Sequence, residues 1–162
     1  MNIFVLDTDV VKCAQYHCDK HVVKMILETT QLLNNALIKH DASYDAVYRQ
    51  THKNHPASIW TAESRANFDW LVGLGLALSD EYTFRYGKTH KCTSLIKGFQ
   101  QGSSRLHIPD GEMTPFRLCM PEQYHTDDAV KSYRLYYLGS KADIAKWTKR
   151  EQPDWWSTNV SS

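Results

Sequence analysis

The sequence is poor in the features that announce common chemistries. Its four cysteines, at 13, 18, 92 and 119, form no C-x-x-C pair and match no zinc-finger spacing, so free thiols in a reducing cytoplasm are expected. No glycine-rich phosphate loop and no Gly-x-Ser-x-Gly elbow is present, which removes the usual nucleotide-cradle and serine-hydrolase signatures. Charge of one sign is missing as well. Nineteen Lys and Arg balance 18 Asp and Glu, so any nucleic-acid surface must be local rather than global. No apolar run reaches the length of a membrane span. Met1 leads straight into Asn-Ile-Phe-Val-Leu-Asp without a basic and apolar leader, so a cytoplasmic setting is expected, with no membrane partner. Strand-like alternation is nearly absent and no repeat is visible, which leaves one mostly helical, all-α domain over 1–162.

Against these absences stands one stretch, Tyr16-His17-Cys18-Asp19-Lys20-His21-Val22-Val23-Lys24-Met25-Ile26-Leu27-Glu28. Asp9 is placed to cap a helix running from about Val10 to Ile38. At the helical period, His17, Lys20, His21, Lys24, Glu28, Gln31 and Asn35 share one narrow stripe on an otherwise apolar cylinder. A solvated edge with a Lys24–Glu28 pair accounts for this at a few tenths of a kcal/mol. The functional reading is the floor of an active site, which needs other segments to converge there.

A second helix is expected from about Ala57 to Phe84, opened by Pro56, with an apolar middle that makes it the buried central element. Gly73 and Gly75 would let another helix approach, and Glu81 and Arg85 have ion-pair spacing. Tyr44–Tyr48 reads as a helical turn. Residues 98–126 read as a long ordered loop, Asp127-Asp128 caps a last helix to about Leu138, Ala142–Trp147 is a further turn, and residues 159–162 are expected to fray. The apolar run 3–6 suggests an anchored N-terminus.

His17 and His21 are four apart and could share a metal, but Lys20 and Lys24 beside them oppose a dication; no metal and no cofactor is assigned. Cys18 beside His17 is no nucleophile signature, because adjacent helical residues point apart. An amine with a carboxylate in reach is the stronger chemical reading. An amine in a partly dry site attacks an electron-poor carbon, the carboxylate handles protons, and together they equip a glycosidic-bond lyase acting through a Schiff base. Lys20, Lys24 and the N-terminal amine are the candidate amines, Glu28 the carboxylate, and His21 the group that positions one of them. The predicted walls are His55, held extended by Pro56, and Arg65, while Arg85 and Lys88 are candidate phosphate contacts.

Two resemblances follow from these residues. The 2–7 and 16–25 runs, His55-Pro56, Glu81-Tyr82-Thr83 with Arg85-Tyr86-Gly87-Lys88, and Tyr133-Arg134 with Tyr136-Tyr137 resemble a family of proteins common in tailed phages, which supplies no activity. Asp19-x-His21 followed seven residues later by Glu28 is similar to the first helix of the phage pyrimidine-dimer DNA glycosylases. That resemblance implies a single, mostly helical domain, catalysis by Glu28, and an aromatic, basic tail on DNA that corresponds to Tyr133–Tyr137 or to Pro153–Trp156. Tyr136 and Trp155 are then substrate contacts beside His17 and Lys24. The sequence departs from the family in two places. The family's nucleophile is the amine of a small residue exposed by removal of Met, whereas Asn2 leaves Met1 in place. The family's arginines around the Glu are Leu27 and Gln31 here, so Lys20, Lys24, Arg65 and Arg85 must serve instead. The expected function is a DNA- or nucleotide-acting glycosylase or lyase. The alternative is a non-catalytic accessory protein that binds a host protein or a nucleotide.

Overall fold

Capping side chains set the helix starts. Asp9 accepts from the Lys12 N–H to open α1 (Val10–Tyr16), and α2 (Asp19–His40) follows after a break at His17-Cys18. His55 Nδ1 accepts from the Ala57 N–H to open α3 (Pro56–Glu63), with Pro56 in the first turn, where its missing N–H costs nothing. Ser64 caps α4 (Arg65–Tyr86), which ends at Gly87 in the left-handed conformation, φ 72°. Then come α5 (Thr93–Gln101), 3₁₀ turns at Ser103–His107 and Glu122–Tyr124, and α6 (Ala129–Ser140), capped by Asp128. The computed structural model describes residues 1–156. Among them are six α-helices and no strand, one all-α domain; the expected fraying at 159–162 lies outside the described residues.

Three expectations are corrected. The helix predicted over 10–38 is two helices, because the His17 ring turns back onto the Cys13 carbonyl (2.7 Å) and the Cys18 N–H turns to the Tyr137 hydroxyl. The helix predicted over 57–84 is also two, because Ser64 caps a new helix while the Arg65 N–H is drawn to the Pro109 carbonyl at 2.8 Å. Tyr44–Tyr48 is not helical; Asp41 accepts from Ser43 in a tight turn, and the Tyr44 hydroxyl donates to Asn34.

The core lies where α2 packs on α3 and α4, with α1 and α5 also against α4. Ile26, Leu32, Leu33 and Leu37 of α2 are buried with Phe68, Leu71, Leu74 and Leu78 of α4, each worth about 1.5–3 kcal/mol of transfer free energy. Gly75 makes the approach possible: a Cβ there would sit 3.0 Å from both Thr29 Cγ2 and Ile96 Cδ1. Gly73 faces only Val10 at an ordinary 3.6 Å.

Residues 3–6 lie in the core without forming a strand, which anchors the N-terminus. The four cysteines are free thiols. Burial pushes Cys13 up to about 12, so it stays protonated. No helix among the described residues is long and apolar enough to cross a membrane.

Candidate active site

Glu28 sits mid-way along α2 with 9% of its surface exposed. The start of the chain reaches it, and the Met1 amine nitrogen lies 3.2 Å from Glu28 Oε1. The two side chains are nearly enclosed, Met1 at 3% and Glu28 at 11% exposure, while Met1 as a whole is only partly buried. Lys24 reaches the other oxygen at 3.6 Å, an ion-pair contact too long for a hydrogen bond, and its side chain is 68% exposed. Glu28 Oε2 therefore remains buried without a hydrogen-bond partner. A buried carboxylate oxygen without a hydrogen-bond partner is costly, which singles Glu28 out among the acids of the core.

The N-terminal segment is tied down by side chains from distant parts of the chain. Asn2 Nδ2 donates to the Cys119 carbonyl (2.9 Å), and Asn2 Oδ1 accepts from the Ile3 N–H (2.7 Å). The Tyr133 hydroxyl hydrogen is shared between the Arg117 carbonyl (2.6 Å) and Asn2 Oδ1 (3.2 Å). Two residues on, the Phe4 ring stacks on His21 at 4.4 Å.

His21, two turns before Glu28, is buried, and its Nδ1 lies 2.6 Å from the Tyr137 hydroxyl. The same hydroxyl accepts from the Cys18 N–H and faces Cys18 Sγ, so Tyr137 ties His21 to the start of α2. Burial, together with the positive charges around it, including Lys141 and Lys24, lowers His21 to about 3. It is a neutral dipole at neutral pH rather than a cationic acid.

The other predicted residues divide. His55 is brought to the site: burial lowers its proton affinity first, the charge of the N-terminal amine lowers it further, and that of Glu28 raises it. Its Nδ1 is committed to capping α3, which leaves Nε2 for other contacts. Tyr136 stacks on Phe4 at 6.1 Å, with Lys141 Nζ 4.8 Å from its ring centre.

Lys20 is exposed, and no ion pair joins it to Glu28 among the described residues. His17 faces the core instead of the stripe. It is fully buried, held down to about 4 by desolvation, with Nδ1 on the Cys13 carbonyl and Nε2 unpartnered.

Arg65 is not a wall of the site. Its guanidinium binds the Leu106 and Ile108 carbonyls and pins the loop after α5; Glu63 and Asp69 take Arg117 and Arg105 instead. Arg85 is occupied by Glu81, Asp19 and the carbonyls of His17 and Gln15, with no exposure. Lys88 is exposed just past Gly87. Trp155 packs against Tyr16 and Tyr137 with the Arg134 guanidinium 5.4 Å from its ring, so the expected DNA-binding tail folds back onto the body. Among the described residues, no three His, Cys, Asp or Glu side chains converge as metal ligands.

A family model described as pyrimidine dimer DNA glycosylase matches residues 1–94, more than half of the chain. The chain belongs to the pyrimidine dimer DNA glycosylase family. Membership implies DNA-repair glycosylase or lyase activity, with DNA as the substrate. No curated protein and no solved structure matches the chain. The matched part holds Met1, His21, Lys24, Glu28 and His55. The glycosylase-family match stops before Cys119, Tyr133, Tyr136, Tyr137 and Lys141, which close the site from the other side. Sequence reasoning missed Asn2, Cys119 and Lys141 as parts of the site. Only the joint occurrence of the Asn2–Asp7 run and the Tyr133–Tyr137 run hinted that these segments meet.

Proposed function

We propose that this chain excises pyrimidine dimers from duplex DNA and cleaves the strand at the resulting abasic site, with the Met1 α-amine as nucleophile and Glu28 as its acid–base partner. One observation carries the reading: in a member of this family the Met1 nitrogen lies 3.2 Å from a buried carboxylate that has an unsatisfied oxygen. The unprotonated amine attacks C1′ of the damaged nucleotide. The C1′–N bond breaks, its electron pair leaves with the base, and the base takes up a proton. Opening of the C1′–O4′ bond gives an imine. Loss of a C2′ proton then expels the 3′ phosphate with the C3′–O electron pair. Glu28 is within reach to accept the amine proton and return it, the distance that general catalysis requires. His21 is a positioning residue here, holding Phe4 and hence the first residues over Glu28. Exposed Lys24 at the rim and the free face of His55 are the contacts proposed for the strand, with Tyr136 as a surface for base stacking and Lys88 as an outlying phosphate contact.

Sodium borohydride tests this directly, because it reduces an imine to a stable adduct. A duplex carrying a cyclobutane dimer or an abasic site should be trapped covalently and, without borohydride, cleaved. Neither adduct nor cleavage across both substrates would remove the amine mechanism and leave the non-catalytic alternative.

A further inference from the structure

The amine at Glu28 is carried by a main chain that one side chain holds. Asn2 is the last residue before the amine, and its carboxamide is tied on both ends: Nδ2 to the Cys119 carbonyl, Oδ1 to the Ile3 N–H and the Tyr133 hydroxyl. Tyr133 is 1% exposed and fixed in turn by the Arg117 carbonyl and the Cys119 N–H, so the tether is rigid. The Met1–Asn2 peptide is planar, which leaves only the soft torsions on either side of it between this tether and the amine.

Position 2 also decides which amine is present. Removal of an initiating Met needs a small residue behind it, and Asn is not one. Were Met1 removed, the amine would begin one residue further along the chain, a displacement of about 3–3.6 Å. That is as large as the 3.2 Å that now separates nitrogen from carboxylate. Cys119 and Tyr133, the partners that hold Asn2, lie beyond the residues that the family model matches.

We propose that Asn2 is a positioning residue, whose carboxamide locks the first peptide so that the α-amine of a retained Met1, and not that of residue 2, is delivered to Glu28. The proposal rests on the amine–Glu28 reading given above.

Three variants test it by borohydride trapping on an abasic-site duplex, with intact mass to identify the first residue. Asn2→Leu keeps Met1 and removes the carboxamide. Trapping at saturating duplex should slow by about 10–100-fold, the cost of misplacing a reacting group by ~1 Å, with duplex affinity held within about twofold. Asn2→Ser permits loss of Met1 and should fall at least as far. Tyr133→Phe keeps the buried ring and loses only the shared hydroxyl, and should slow trapping by about 3–10-fold, in line with one hydrogen bond. Wild-type adduct should map to the α-amine of the tryptic peptide 1–12. A wild type that traps at position 1, with Asn2→Leu and Tyr133→Phe equally fast, overturns the latch and leaves the amine mechanism standing. So does an Asn2→Ser protein that has lost Met1 and traps as fast as wild type. A wild-type adduct on a lysine, or none at all, overturns both.

Discussion

Two carboxylates in this molecule look alike in sequence and are opposites in structure. Glu28 follows Lys24 and Glu81 precedes Arg85, each at the four-residue spacing of a helical ion pair. Glu81 is 4% exposed and satisfied on both oxygens, with Arg85 Nε and Arg150 Nε on Oε2 (2.8 and 3.0 Å) and Arg150 Nη2 on Oε1 at 2.9 Å. Arg85 goes on to Asp19, which also accepts from the Thr148 N–H and hydroxyl. Guanidinium groups do not release a proton in this range, so the cluster is a fixed clamp between the start of α2, the end of α4 and the 148–150 segment. Glu28 has an amine on one oxygen and nothing within hydrogen-bond distance on the other. An acid that is fully paired with arginine holds the fold. An acid that is half paired, with a partner able to change its protonation, is equipped for chemistry.

The contrast breaks first on activity. Glu28→Gln should cut single-turnover trapping by about 10²–10⁴-fold, the usual range for losing a general acid–base group, with the melting temperature little changed. Glu81→Gln should do the reverse. It takes the shared carboxylate from Arg150 and leaves the buried Arg85 with Asp19 alone, at a cost of about 2–3 kcal/mol in chemical denaturation, while the folded fraction traps DNA normally. Equal stability losses in the two variants would erase the distinction.

A third test lies in the pH dependence of the two histidines between these acids. Burial holds His17 at about 4 and His21 at about 3, both below the ordinary 6.5. Between those values the unfolded chain takes up protons that the folded chain refuses. Stability is therefore complete above about pH 6.5, falls as the pH drops through the window to about 4, and levels off near 3. The expected loss at pH 5 is about 2–4 kcal/mol for the pair, read from denaturation midpoints. His17→Asn should remove about half of that loss and leave the pH profile of trapping unchanged, since His17 faces Cys13 and not the amine.

How much of this the sequence shows depends on the range of the contact responsible. The helical class is visible because apolar residues recur at helical spacing, and Pro56 and Gly87 mark one start and one stop through their own backbone limits. The break at His17-Cys18 contains neither Pro nor Gly; it is imposed by Tyr137 and Arg85, which are far along the chain. The break at Ser64 did carry a local signal, a capping hydroxyl three residues before Asn67, hidden within an apolar run. Glu28 stands out in the sequence through the spacing to His21 that resembles the glycosylase helix, and the structure sets it beside the Met1 amine. The Met1 amine was a candidate, but its delivery depends on Asn2 meeting residues 117–133, a contact no local pattern encodes. Arg65 and Arg85 were misassigned for one reason: a sequence displays the cation and conceals the carbonyls and carboxylates that will surround it.

The smallest expected effect separates the site from the stripe that first suggested it. Lys20 and Lys24 both lie on α2 and both are exposed, and either amine is chemically able to form an imine. Only Lys24 stands within ion-pair distance of Glu28, and at 68% exposure that contact contributes at most about 1 kcal/mol. Lys24→Ala should therefore slow trapping a few-fold, by about 2–5-fold, and weaken duplex binding more at low than at high salt, as expected of an exposed cation near phosphate. Lys20→Ala should leave the trapping rate within about twofold of wild type, because surface substitutions away from a site rarely exceed about 0.5 kcal/mol. A Lys20→Ala protein that binds the duplex but no longer traps would move the nucleophile from the Met1 amine to the exposed helix face, and the contrast between Glu28 and Glu81 would then lose its chemical meaning.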